Sequence, residues 1–159
     1  MKCRPLAGFS LVELMFTLAV MAVLALIAVP MVQNTIQRQK EHALRNALHE
    51  IRTAIDAYKR ASDDGSVIRR EGESPYPKQL DDLVTGVPDQ RSPSKRNLQF
   101  LRRIPRDPFA LDESGTPADS WGKRASTSSL EDPREGDDVF DVYSRSTKMG
   151  LNHLPLNQW

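Results

Sequence analysis

Residues 9–32 read FSLVELMFTLAVMAVLALIAVPMV, a nearly uninterrupted apolar stretch. Its polar interruptions are Ser10, Glu13 and Thr17. A helix that crosses a bilayer needs about 20 mostly apolar residues, each adding about 1.5 Å of rise. Residues 14–32 nearly supply that length without a charge. We therefore expect residues 9–32 to form a transmembrane helix.

A short, positively charged segment precedes the apolar stretch. Residues 1–8 read MKCRPLAG and include Lys2 and Arg4. Positive residues beside a membrane span stay in the cytoplasm, which predicts a cytoplasmic amino terminus and export of the rest of the chain. An ordinary secretory signal would end its apolar region in a small-residue cleavage site, which residues 27–30 match poorly. Cleavage is therefore expected before the apolar stretch.

Charge and cysteine content exclude several classes of protein. The chain has 159 residues, a formal net charge of +1 and one cysteine, Cys3. A balanced charge without a basic stripe argues against nucleic-acid binding. If the residues before the apolar stretch are removed, no thiol remains for a disulfide or a thiolate metal site. The length allows one small domain and an anchor.

A second helical pattern begins at residue 33 and continues to residue 61 without glycine or proline. Its apolar side chains recur at spacings of three and four and form one stripe: Ala43, Leu44, Ala47, Leu48, Ile51, Ala54, Ile55 and Tyr58. Polar residues, among them Arg52, occupy the other faces, as in an amphipathic helix. Gly65 suits a carboxyl-terminal cap, so we expect the helix to end near residues 62–65. Residues 9–62 thus predict one helix of about 50 residues, about 80 Å long.

The rest of the chain is rich in proline and in short polar runs. Strands are predicted at residues 98–101 and 139–144, with Phe140 and Val142 on one face. The predicted fold class is α+β, with a long amino-terminal helix packed on a small antiparallel sheet. We divide the chain into residues 1–8, a cleaved leader; 9–32, the transmembrane helix; 33–62, an amphipathic stalk; and 63–159, a globular head.

No catalytic or metal-binding constellation stands out. A serine–histidine–acid set, a phosphate-binding glycine loop and zinc-ligand spacing are all missing. His42 and His49 lie seven residues apart without a third ligand nearby, which predicts surface or packing roles. We expect no catalytic residues, no metal site and no enzymatic activity.

Acidic residues are concentrated in the middle of the head. They are Asp112, Glu113, Asp119, Glu131, Asp132, Glu135, Asp137 and Asp138. Their spacing does not fit an EF-hand, in which acids alternate before a glycine. This pattern predicts a solvated loop rather than a metal site.

Residues 8–14, GFSLVEL, resemble the class III signal of type IV prepilins and type II secretion pseudopilins. In that family a prepilin peptidase cuts after the glycine on the cytoplasmic face and methylates the new amino terminus. The resemblance implies that Gly8 precedes the cut and that Phe9 becomes the methylated first residue. Glu13 and Pro30 then fall at the family's glutamate and proline positions.

The resemblance also implies roles for Glu13 and Pro30 in filament assembly. A carboxylate near the hydrocarbon costs up to about 2.5–3.5 kcal/mol and needs a partner. The family supplies the amino group of Phe9 on a neighbouring subunit, which would set the register of a head-to-tail filament. The alternative is a glutamate that reaches water at the interface. Pro30 predicts a kink; local melting during assembly and a static kink remain open.

The head resembles the G-type major pseudopilin of type II secretion systems in three blocks. These are Tyr76-Pro77 with residues 80–84, then residues 100–109 and 135–144. Two departures stand out. Trp121-Gly122 comes later than in that family, as though residues 110–120 were inserted or rearranged. Residues 145–152 occupy the family's calcium loop but contain no carboxylate, so calcium is disfavoured; we expect Leu154, Leu156 and Trp159 to tie down this region instead.

The resemblance implies a structural subunit of a type II secretion pseudopilus, which helps to push folded proteins through an outer-membrane secretin. Implied partners are other pilin-like subunits, prepilin peptidase, a platform protein and an assembly ATPase. The chain would cross the bacterial inner membrane once, with its head in the periplasm. One alternative is a pilin or minor pilin of a surface fibre for adhesion, motility or DNA uptake. A monomeric membrane-anchored binding module is another. Surface pilins commonly have a cysteine pair, so its absence favours the pseudopilin.

Overall fold

The computed structural model describes residues 8–94, 96–112 and 114–159, without the side chains of residues 27–31. Its first element is helix α1, Leu11–Asp63, of 53 residues. The predicted long helix is thus confirmed. The chain divides into two compact units, one ending at Gln39 and the other comprising Lys40–Trp159.

Helix α1 ends where the sequence predicts. The Ser66 amide donates to the Ala61 carbonyl at 2.9 Å, which satisfies a carbonyl of the last turn. Gly65 has a φ of 75°. This left-handed conformation suits glycine because it has no Cβ to clash with the backbone.

The apolar stripe of α1 forms one side of the core of the unit Lys40–Trp159. Six members of the predicted stripe are buried: Leu44, Ala47, Leu48, Ile51, Ala54 and Ile55. Tyr58 packs against the same core. Ala43 is exposed, and its prediction was wrong. Near Ala43 the buried residue of α1 is Glu41 instead, and its Oε1 accepts a hydrogen bond from the Leu151 amide at 2.8 Å.

The rest of the core comes from scattered short elements. It includes Leu80 and Leu83, the second of which lies on the short helix α2, Asp82–Thr85. It also includes Leu101, Phe109, Ala118, Trp121, Val139, Val142 and Leu156. Burying one such large apolar side chain contributes about 1.5–3 kcal/mol. The short elements are therefore held mainly by packing on the helix.

The strands form two separate antiparallel pairs in the described residues. Strand β1, Val87–Pro88, pairs with β2, Asn97–Leu98. Strand β3, Trp121–Arg124, pairs with β4, Asp141–Ser144, in a register that places Trp121 opposite Ser144. The α+β class is confirmed, with two small ladders where one small sheet was expected.

The predicted strand boundaries were partly wrong. Of residues 98–101 only Leu98 is in a strand, because the Phe100 and Leu101 amides both donate to the Leu83 carbonyl, each at 3.0 Å. Strand β4 begins two residues later than predicted. The Val139 amide donates to the Pro77 carbonyl at 2.8 Å, so this amide does not take part in the hydrogen bonding between β3 and β4.

The structure explains the late Trp121-Gly122 pair. Residues 110–120 leave the Asp107-Pro108 turn and return through a 3₁₀ helix, Pro117–Ser120. Trp121 is fully buried, and its Nε1 donates to the Pro105 carbonyl at 2.8 Å. The Asp107 amide donates to Ser120 Oγ at 3.1 Å. These two bonds join the ends of the excursion, so the tryptophan lies beside the turn despite its distance in sequence.

Candidate functional site

The predicted cleavage site lies at the start of the described chain. Gly8, Phe9 and Ser10 are exposed and precede the helix, and the Leu14 amide donates to the Ser10 carbonyl at 3.1 Å. An exposed, non-helical peptide bond is the kind that proteases attack most readily. The bond between Gly8 and Phe9 therefore has an accessible geometry. Residues 1–7 of the predicted leader lie outside the described residues.

Glu13 is the only charged residue from residue 9 to residue 37. It lies in the first turn of α1. A negative charge there interacts favourably with the positive end of the helix dipole, which stabilises the helix by about 0.3–1 kcal/mol. It is exposed, and no ion pair to it occurs in the described part of the chain. The hydroxyl of Thr17 donates to the Leu14 carbonyl at 2.9 Å and so needs no other partner. The carboxylate of Glu13 is thus available to a group from outside the chain.

The first part of α1 displays large apolar side chains on every face. The exposed ones are Leu11, Val12, Leu14, Met15, Phe16, Leu18, Val20, Met21, Val23, Leu24 and Leu26, together with Phe9 before the helix. A contiguous exposed apolar surface of this kind marks a site of contact with a membrane or with other protein. Glu13 is the single charge within it.

Pro30 is predicted to act in assembly. The backbone is helical through Pro30, and its side chain lies outside the description. Its role therefore remains a prediction.

No helix in the described ranges combines the length and the apolar character needed to cross a membrane.

In the other unit, residues 149–159 pack against α1; we call them the clasp segment. An isolated bridge between Met149 and Pro155 closes a tight loop, and a 3₁₀ helix, Leu156–Gln158, follows. Leu156 is fully buried and Trp159 packs against the core, as expected. Leu154 is exposed, so that part of the expectation was wrong.

Arg52 joins α1 to both β4 and the clasp segment. Its Nε donates to Asp141 Oδ1 at 2.7 Å, and its Nη2 donates to the Val142 carbonyl at 3.1 Å. The same Nη2 donates to the Trp159 carbonyl at 2.8 Å. Arg124 holds the other oxygen of Asp141 at 3.3 Å. The sequence placed Arg52 only on a polar face, because nothing local reveals partners that lie 89 to 107 residues away.

A buried polar cluster supports the turn beside Trp121. Asp107 Oδ1 accepts from the Phe109 amide at 2.8 Å, and Oδ2 accepts from the Ser144 hydroxyl at 2.6 Å. Asp107 and Ser144 are both buried. Because each buried oxygen has a donor, the cluster stabilises the turn and leaves no free group for chemistry. The sequence placed Asp107 and Ser144 only within the blocks 100–109 and 135–144, because nothing local reveals a pairing across 37 residues.

The prediction that the acidic residues lie in a solvated loop was wrong for Asp138. Asp138 is 4% exposed. Its carboxylate accepts from the Ser126 amide at 2.9 Å, from the Ser126 hydroxyl at 2.6 Å and from the Ser74 hydroxyl. Burial raises the pKa of this carboxyl, but the hydrogen bonds from Ser126 and Ser74 outweigh burial and leave the pKa below its usual value. Asp137, next to it, is exposed as predicted. Glu113 lies outside the described residues.

Metal-binding residues are not assembled in the part of the chain that the structure describes. No group of three or more histidine, cysteine, aspartate or glutamate residues is arranged to hold an ion there. His42 and His49 are exposed, in agreement with a surface role. In residues 145–152, the stretch in which the sequence resemblance would place a calcium loop, Arg145 pairs with Glu135 at 3.4 Å, and the Gly150 amide donates to the Leu154 carbonyl at 2.9 Å.

The chain matches one family, described as the prokaryotic N-terminal methylation motif, over residues 4–29. The match spans the predicted cleavage site, Glu13 and most of the exposed apolar surface. It indicates a protein of the type IV pilin-like family. Neither a curated protein nor a solved structure matches the chain. The match ends before the unit Lys40–Trp159, so it does not identify the type of subunit.

Proposed function

We propose that this chain is a structural, non-enzymatic subunit of a type II secretion pseudopilus. One observation carries the proposal: the methylation motif at residues 4–29 coincides with an exposed apolar helix surface that contains a single unpaired charge, Glu13. The proposed subunit is anchored in the bacterial inner membrane by residues 9–32. Its head lies in the periplasm.

Assembly follows from the groups at the amino terminus. Prepilin peptidase cuts between Gly8 and Phe9 and methylates Phe9, which leaves a positively charged amine. That amine pairs with Glu13 of a neighbouring copy, because a carboxylate near hydrocarbon needs an opposite charge. Each copy offers one amine and one carboxylate, so the contact is head-to-tail and builds an open filament. A platform protein and an assembly ATPase supply subunits, and Pro30 allows the helix to adjust during packing.

The three head blocks that resemble the G-type pseudopilin favour secretion over a surface fibre. A pilin or minor pilin of a surface fibre is the second candidate, since residues 145–152 contain no carboxylate and so depart from the G-type loop. Deletion of the gene separates the two. Secreted proteins should accumulate in the periplasm if the chain is a pseudopilin, whereas loss of adhesion, motility or DNA uptake with normal secretion would favour the fibre.

We also propose that the head needs no calcium or other cofactor. A head that depends on calcium should lose several degrees of melting temperature when the ion is chelated, because a ligand that binds only the folded state stabilises it. We expect equal melting temperatures in EDTA and in excess calcium. A rise with calcium would overturn this part of the proposal.

Mass spectrometry of the mature protein tests the processing step directly. We expect a chain that begins with N-methylated Phe9. A mature chain that retains Met1 would contradict the proposal.

Filament assembly tests the role of Glu13. Replacement Glu13→Ala should abolish filaments and secretion while the head keeps its melting temperature. The matched control is Glu71→Ala, which removes another exposed glutamate far from the motif and should leave both intact. Normal filaments from the Glu13→Ala variant would overturn the proposed assembly.

A further inference from the structure

A groove lies between α1 and the clasp segment, with a volume of about 440 Å³. One side of the groove is lined by three residues of α1: Arg45, His49 and Arg52. They share a helix face because they are spaced four and three residues apart. Leu154 and Trp159 line the opposite side. No aspartate or glutamate is among the lining residues, so the groove combines apolar surface with the guanidinium groups of two arginines.

Arg45 carries the unbalanced charge of this groove. Arg52 is paired with Asp141 at 2.7 Å. Arg45 lies over the Trp159 ring, with its guanidinium carbon 4.5 Å from the ring centre. Within the described ranges no carboxylate pairs with Arg45. The groove therefore fits an occupant that has an apolar side chain next to an acidic one.

The head displays such a pair on a different surface. Leu111 is 92% exposed, and Asp112 follows it. Arg106 holds this loop by donating to the carbonyls of Asp112, at 3.1 Å, and of Gly115. The Ser114 hydroxyl and amide donate to Asp112 Oδ1 at 2.6 and 2.8 Å and lower the pKa of that carboxyl. Asp112 is thus charged at neutral pH, and its backbone carbonyl is held by Arg106.

Other exposed large apolar side chains of the head do not fit, and two of them, Met149 and Leu151, have no acidic neighbour in the sequence. Ile68 is followed by Arg69, which has the same sign as the groove. Leu130 is followed by Glu131, but both line a neighbouring cavity that shares Arg52, Gln158 and Trp159 with the groove, so this pair already lies beside it. Leu154 lies in the groove itself. The Leu111–Asp112 pair borders a cavity that has no residue in common with the groove.

We propose that the groove receives the Leu111–Asp112 pair of a second copy of this chain, with Leu111 against Leu154 and Trp159 and with Asp112 beside Arg45. The inference rests on the proposed filament function and names a contact between heads. Each copy has one pair and one groove, so the contact is heterologous and can repeat along a filament. Charge complementarity sets its orientation and excludes wrong partners.

Disulfide cross-linking of the full chain tests the contact. In a Cys3→Ser background, the double variant Leu111→Cys/Leu154→Cys places thiols on the two surfaces. Oxidation of assembled filaments should give a ladder of dimers, trimers and larger species, since a disulfide forms when the Cβ atoms lie about 3.5–4.5 Å apart. Each single variant should give no species beyond a dimer. The matched control Ile68→Cys/Leu154→Cys, which uses another exposed apolar residue, should give no ladder.

The outcomes separate this inference from the function on which it rests. Filaments without a ladder would overturn the contact and leave the filament function standing. A wild-type chain that forms no filaments would overturn the filament function itself.

Charge reversal supplies a second, independent test. Arg45→Glu and Asp112→Lys should each reduce filament yield, and the double variant should restore it. The melting temperature of the head in each variant checks that Arg45→Glu has not simply unfolded the clasp segment. Rescue by the double variant supports the pairing, because a purely structural loss at Arg45 would not be repaired by a change at Asp112. Additive losses in folded variants would overturn it.

Discussion

The two parts of α1 differ in what surrounds their apolar side chains. Between Leu11 and Leu26 large apolar residues are exposed on all faces, and they lie in the unit that ends at Gln39. From Leu44 to Ile55 the apolar residues form one stripe, which the head covers. Both parts are helical, so the backbone does not distinguish them. The distribution of apolar residues does: a stripe is buried by its own chain, whereas an all-round apolar helix requires surroundings from outside.

Two leucines of α1 give the strongest test of this difference. Leu44 is 0% exposed and Leu18 is 65% exposed. Leu44→Ala should destabilise the head by about 2–5 kcal/mol, because it leaves a cavity in the core. Leu18→Ala should change head stability by less than about 0.5 kcal/mol. Denaturant unfolding of the full chain in detergent measures both, and equal losses would contradict the assignment of Leu18 to a separate unit.

The clasp segment allows the same comparison inside the head. Leu156 is 0% exposed and Leu154 is 52% exposed. We expect Leu156→Ala to lower the unfolding free energy by about 2–3 kcal/mol, near the lower end for core leucines, because its short 3₁₀ helix can partly collapse into the space. Leu154→Ala should leave thermal unfolding nearly unchanged. If Leu156→Ala were also neutral, the clasp segment would not contribute to the stability of the head.

Arg52 offers a smaller effect. Arg52→Gln removes hydrogen bonds to Asp141, Val142 and Trp159, and we expect a loss of about 1.5 kcal/mol, the lower end for charged hydrogen bonds at a half-exposed site. Lys59→Gln is the control, since Lys59 pairs with exposed Asp63 one helical turn away and not with a distant segment in the described residues. That change should leave the melting temperature unaltered. A similar loss from both variants would argue against a special role for Arg52.

The pH dependence of head stability should reveal Asp138. The pKa of Asp138 is lowered in the folded state, so its charged form stabilises the head fully above the unfolded pKa of about 3.9. This stabilisation is lost as the pH falls through the lower pKa of the folded state. Asp138→Asn should therefore weaken the acid dependence of unfolding below about pH 5. The control Asp137→Asn replaces the exposed neighbouring residue and should preserve the wild-type acid dependence of unfolding. A wild-type acid dependence in the Asp138→Asn variant would contradict the role of these hydrogen bonds.

Much of the amino-terminal half could be predicted, and less of the head. The end of α1 was predicted from Gly65 and is confirmed. The roles of Gly8, Phe9 and Glu13 were predicted from a local motif and stay predictions. The β3–β4 ladder was missed as a pair because Trp121-Gly122 did not stand out as a strand. Asp138 was assigned to a loop because its donors, Ser74 and Ser126, are distant in sequence. Strand formation depends on the partner and on burial more than on the residues of the strand itself.

The long helix, the change along it from an all-round apolar surface to a single apolar stripe, and the processing motif could all be read from the residues alone. These features are local or periodic, so the helical repeat of about 3.6 residues makes them readable. The folded chain was needed to show that Trp121 returns to Pro105, that Arg52 joins β4 to the clasp segment, and that Leu156 rather than Leu154 enters the core. Each of these contacts joins residues far apart in the chain, and packing and hydrogen-bond geometry select among many pairings that the sequence leaves open.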